Sequence, residues 1–225
     1  MEIPFTIEEF LNTFKNYNES VFPAQYFTYL LGVIVVVNLF RPSRNSGKII
    51  SGILSLFWLW MGIVYHIIYF STINKVAIVF GIAFIIQGIL FLIVGVIADK
   101  LKYELELSKI GVSQIIAIVF IIYAMIGYPI LNQLFGHSYP YSPIFGLAPC
   151  PTVIFTFAVL LLCYQKKSIY LLIIPFLWSI IGFSAAFNLG MIEDYGLVIA
   201  GILGLIFILK NKRMISKNKT TKASR

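Results

Sequence analysis

The stretch VAIVFGIAFIIQGILFLIVGVIA, Val76–Ala98, decides the fold class. Its 23 residues include no Asp, Glu, Lys or Arg. As a helix rising 1.5 Å per residue it reaches about 35 Å, enough to cross a hydrocarbon core of about 30 Å. A helix can do this because it satisfies its own backbone hydrogen bonds. Six further stretches are equally free of charge: Phe22–Phe40, Ile49–Ile73, Ile110–Leu131, Pro151–Tyr164, Ser168–Ile192 and Tyr195–Leu209. The expectation is an all-α fold, a seven-transmembrane-helix bundle. Residues 1–20 precede it as an N-terminal helix, residues 21–209 form a single transmembrane domain, and residues 210–225 form a basic tail.

Composition agrees. The chain is 60% hydrophobic and 12% charged, with a mean hydropathy of +0.92. A soluble domain of this size would expose too much apolar surface. The start of the chain carries Glu2, Glu8 and Glu9 in place of a basic region, unlike a secretory leader. The net charge of +8 raises nucleic acid as a partner, but its distribution argues for a bilayer instead. With the N-terminus outside, 15 of the 17 Lys and Arg residues fall in inner segments, and only Lys15 and Lys75 lie outside. The positive-inside rule therefore gives N-out and C-in, in the cell inner (plasma) membrane. Nothing in the sequence fixes an oligomeric state.

Around the spans, Thr6 and Glu9 make a capping box for a helix over residues 5–18. Ile7, Phe10, Leu11, Phe14 and Tyr17 recur on one face of it. Such a helix is expected on the outer leaflet. Gly81, Gly88 and Gly95 in span three, and Gly196, Ala200 and Gly204 in span seven, read as seams for close helix packing. Pro175 is expected to kink span six. The long connection Asn132–Cys150 is rich in proline and aromatic residues. It reads as an ordered lid or a re-entrant segment, with Ile144–Pro149 completing span five as a broken helix.

Several of these stretches carry a resemblance. They are Pro4-Phe5-Thr6…Glu9-Phe10, Pro23-Ala24-Gln25, Trp58-Leu59-Trp60-Met61-Gly62…Tyr65-His66, Phe145-Gly146-Leu147-Ala148-Pro149-Cys150-Pro151-Thr152, and Pro175…Trp178-Ser179. Over nearly its whole length the chain resembles a family of uncharacterised bacterial integral membrane proteins, a domain of unknown function sometimes labelled permease-like. The resemblance implies a multi-pass membrane fold and a permease-like role.

The polar residues worth naming gather towards one side. His66 lies near the outer end of span two, which Asn74 closes. Cys150 and Thr152 open span five from outside. Asp194 sits with Asn188 and Glu193 between spans six and seven, also outside, and Gln87 lies near the middle of span three. Trp58 and Trp60 lie too deep for an interfacial aromatic belt, and Trp178 in span six joins them as a candidate. If spans two, three, five and six adjoin, these residues form an outward-facing candidate pocket for a small, neutral solute. Cys150, flanked by Pro149 and Pro151 at a helix N-terminus, is either a reactive thiolate or a small residue at a tight turn. His66 with Cys150, His137, Glu193 or Asp194 is the one combination that could suggest a metal. No short ligand spacing supports it, and no metal or other cofactor is assigned. The two cysteines, at opposite ends of span five, are too far apart for a disulfide. The absence of a carboxylate within the spans argues against ion coupling. There is no phosphate loop, no His-Glu-x-x-His motif, and no lysine in span seven for a retinal Schiff base. The leading expectation is a protein that binds or passes a small solute. The alternatives are a membrane-embedded thiol- or metal-dependent enzyme and a non-transporting sensor or scaffold.

Overall fold

A computed structural model describes residues 4–105, 110–163 and 165–223. Glu2, Lys109, Tyr164 and Arg225, all used in the sequence reading, lie outside the described residues. The described fold is helical with no strand, only an isolated bridge between Tyr103 and Cys163. The helices are α1 (Ile7–Ser20), α2 (Ala24–Phe40), α3 (Ser46–Thr72), α4 (Ala77–Ile97), α5 (Val112–Leu134), α6 (Pro149–Leu161), α7 (Ile173–Leu189) and α8 (Tyr195–Ala223).

Among the described residues, five stretches are long and apolar enough to cross a membrane: α3, α4, α5, Ile169–Leu189 and Ile192–Lys210. A sixth arises only if α1 and α2, bent by 85° at Val21–Pro23, count as one. Helix length therefore gives five or six candidates where the charge pattern gives seven. The main shortfall is α6. It spans 13 residues rather than residues 151–164, and every residue from Pro151 to Leu161 is buried. It packs against α5, α7 and α8. A helix surrounded by protein can be apolar on all sides without meeting lipid, so an apolar run alone does not separate it from a span. The other helices turn Leu, Ile and Val outward, for example Leu30, Val33, Val37, Ile78, Ile115 and Val119.

Glycine sets how closely α3 and α4 approach. A Cβ on Gly81 would stand 2.8 Å from the Gly62 carbonyl oxygen, and one on Gly88 would meet Leu59. Gly95 abuts Ser51 in the same way. All three glycines thus form one seam against α3. On α8, Gly196 faces Tyr123 and Gly204 faces Phe157, with Ala200 buried between them.

Three local expectations change. The α1 helix has its capping box, with the Thr6 N–H on Glu9 Oε2 at 2.7 Å and the Glu9 N–H on Thr6 Oγ1 at 3.2 Å. Its apolar face, however, covers the end of α3 rather than lipid, with Phe14 stacked on Tyr65 and Phe10 edge-on to Phe70. Pro175 marks a change of helix type: the 3₁₀ turns Lys166–Leu172 run into the first turn of α7, and the Leu171 carbonyl, to which Pro175 has no N–H to donate, accepts Gln87 Nε2 at 3.0 Å. The loop before α6 is ordered, but Ile144–Ala148 forms turns and not a broken helix. Gly146 at φ 79° approaches Thr28 and Phe57 there, a backbone state and a closeness that a side chain would oppose.

Candidate functional site

The loops at residues 21–23, 73–76, 135–148 and 190–191 meet at one end of the bundle, where α1 lies across them. Under α1 is a cavity of ≈ 440 Å³, bounded by α3, α4, α6, α7 and the start of α8. Aromatic rings form much of its wall, among them Phe10, Phe14, Tyr65 and Phe80. Its polar groups are Asn74, Cys150, Trp178, Ser184 and Asp194.

Of the nine candidate pocket residues, Asn74, Cys150, Trp178 and Asp194 are brought together here. Asn74 also caps α4, its Oδ1 accepting the Val76 N–H at 3.1 Å. The other five lie elsewhere. Thr152 Oγ1 donates to the Ala148 carbonyl at 2.7 Å and accepts the Gly146 N–H at 2.8 Å, which fixes the turn into α6. Trp58 Nε1 donates to Thr156 Oγ1 at 3.1 Å, and Trp60 Nε1 donates to the Tyr17 hydroxyl at 2.7 Å. Both indoles thus join helices. Gln87 is fully buried, with Nε2 donating to the Leu171 carbonyl at 3.0 Å and Oε1 unpartnered among the described residues.

His66, expected in the pocket, is absent from the cavity lining. It is fully buried among rings, with Phe84 at 4.6 Å and Trp178 and Tyr65 at 5.0 Å between centroids. Neither ring nitrogen has a hydrogen-bond partner among the described residues, and neither does Trp178 Nε1. Trp178 therefore stands between the cavity and an enclosed imidazole.

The acidic pair is the larger revision. Glu193 and Asp194 are not exposed on a connection but buried at the start of Ile192–Lys210, so a candidate span does hold carboxylates. The Tyr128 hydroxyl donates to Asp194 Oδ1, and the Cys150 thiol faces both groups. Glu193 Oε1 lies 3.0 Å from His137 Nδ1, and its carbonyl accepts the Tyr123 hydroxyl at 2.6 Å. Sequence reasoning missed Tyr123 and Tyr128. Two hydroxyls inside an apolar span were the available signal, since a buried phenol needs a partner.

The Cys150 helix begins at Pro149, not Pro151. Its thiol is half-buried and faces a carboxylate, the reverse of the electropositive setting that activates a thiol. Among the described residues neither cysteine is in a disulfide. Among the described residues, no group of three or more His, Cys, Asp or Glu side chains could hold a metal ion.

No curated protein and no solved structure matches the chain. A family model does, over residues 7–219, and its description is a family of unknown function, DUF6064. With nearly the whole chain covered, the protein belongs to that family.

Proposed function

We propose that this is a multi-pass protein of the plasma membrane, N-out and C-in, that takes up a small, neutral, largely apolar solute in the cavity beneath α1, in a permease-like manner from the outer face. The cavity carries this reading. At ≈ 440 Å³, mostly apolar, with a few polar groups at Trp178, Cys150 and Asp194, it has the make-up of a small-molecule site. The indole N–H of Trp178 and the carboxylate of Asp194 give such a solute one donor and one acceptor. The orientation rests on the charge distribution, and a count of seven crossings requires α2 and the short α6 each to pass through the bundle.

The test is a titration of small neutral solutes into the protein in lipid nanodiscs, read by tryptophan emission and by Tm. A binding solute should shift both, and Trp178→Phe should remove the emission change while Trp58→Phe keeps it. A broad solute panel with no Tm shift, or an emission response that survives Trp178→Phe, would overturn the cavity as the site.

A further inference from the structure

A second concavity shares only Pro143 with the first. It measures ≈ 570 Å³ and lies between α2, the end of α5 and the loop after it. Three buried amides stitch this region together. Asn18 Nδ2 donates to the carbonyls of Pro140 at 2.7 Å and Ser142 at 2.9 Å. Gln25 Nε2 donates to the Asn18 carbonyl at 2.7 Å, and Asn132 Nδ2 donates to the Pro143 carbonyl at 3.3 Å. Each amide is oriented by these bonds, because a flipped group would set two acceptors against each other. The amide donors thus face backbone, while Asn18 Oδ1, Gln25 Oε1 and Asn132 Oδ1 are buried with no partner among the described residues. Buried acceptors are rarely left so, and three in one place call for a donor.

The surroundings say what kind of donor. Gln25 and Asn132 both line the groove, with Tyr26, Tyr29 and Tyr139 supplying aromatic walls and no Lys or Arg among the lining residues. His137, also in the lining, is bonded to Glu193, whose second oxygen is buried and unpartnered among the described residues. Ring faces attract cations, and buried carboxylate behind the groove adds to that field. A quaternary ammonium would satisfy the rings but not the oxygens. A primary ammonium, with three N–H donors, satisfies both.

We propose that this groove binds a primary ammonium group, with Gln25 and Asn132 accepting its N–H donors and the tyrosine rings facing its charge. The group belongs either to the headgroup of phosphatidylethanolamine or to a free small amine.

Ethanolamine hydrochloride and choline chloride are titrated into the protein in phosphatidylcholine nanodiscs, with Tm as the readout. In parallel, native mass spectrometry compares retention of phosphatidylethanolamine and phosphatidylcholine. Primary ammonium should bind at least about tenfold more tightly than quaternary, the scale expected of a lost pair of hydrogen bonds. Asn132→Leu should abolish the preference. If that variant fails to fold, Tyr26→Ala decides, since Tyr26 is 69% exposed and its removal weakens only the aromatic wall. A Tm shift with free ethanolamine alone supports a soluble amine, and selective retention of phosphatidylethanolamine supports a lipid. No binding of either, equal binding of choline, or unchanged affinity in both variants would overturn the proposal.

Discussion

The Trp60 indole N–H donates to the Tyr17 hydroxyl, which donates in turn to the Leu147 carbonyl. One phenol thereby ties α1, the middle of α3 and the loop entering α6. Tyr17→Phe leaves both the indole and the carbonyl unpaired, so stability should fall by about 1–3 kcal/mol. Thermal unfolding in detergent checks this, and an unchanged midpoint would show that α1 rests on ring packing alone.

Close approach of α3 and α4 makes a second prediction. Gly62→Leu places a branched side chain where even a Cβ would be 2.8 Å from the Gly81 carbonyl and 3.0 Å from the Ile85 nitrogen. Backbone cannot yield as a side-chain tip does. Expected is a loss of about 1–3 kcal/mol or failure to accumulate, against a near-neutral Ile63→Leu on the exposed neighbouring position.

Cys150 should react with an impermeant alkylating agent at pH 7 more slowly than a small reference thiol of pKa about 8.5. The carboxylate of Asp194 opposes a thiolate more directly than the α6 N-terminus favours one. Mass-spectrometric rates resolve it, and labelling of Cys150 faster than the reference thiol would restore the activated thiol.

At the N-terminus, hydrogen bonds from the Thr6 backbone and side chain hold the Glu9 carboxyl below its usual range. A lowered folded value means that stability is present in full above the unfolded pKa, about 4.3. It is lost as pH falls through the lower folded value. Docking of α1 should therefore weaken on acidification below that range, and Glu9→Gln should blunt the change. Hydrogen exchange across residues 7–20 measures it.

Topology gives a fifth. Cysteines placed at positions 41–48 should label from the cytoplasmic side, and those at 138–141 from outside. Labelling of both sets from the same side would defeat the orientation.

How much of this could be read from the sequence varies with the physics involved. Helix identity and the α1 cap followed from periodicity and from Thr6 and Glu9, because those signals are local. The glycine seam on α4 was equally visible, since residues at heptad spacing must share a face. Burial of α6 was not, because apolar character alone cannot distinguish lipid from protein as the neighbour. The same limit hid the burial of the Glu193–Asp194 pair. Both lie near span ends, and only the packing of α1 and the 135–148 loop over that end encloses them. Asn74, Cys150 and Asp194 were named from sidedness and Trp178 as one of three tryptophans, whereas Tyr128, which bonds to Asp194, was passed over as one more aromatic residue.

The short central helix bears on how the chain is made. At 13 residues, α6 extends about 20 Å, too little to hold its own place across a bilayer as it leaves the ribosome. It leaves synthesis ahead of α7 and α8, two of the three helices that enclose it. Enclosure of α6 therefore depends on segments translated after it. A nascent chain halted near residue 165 would present an apolar segment without two of the helices that enclose it, so the burial of α6 waits on the residues that follow it.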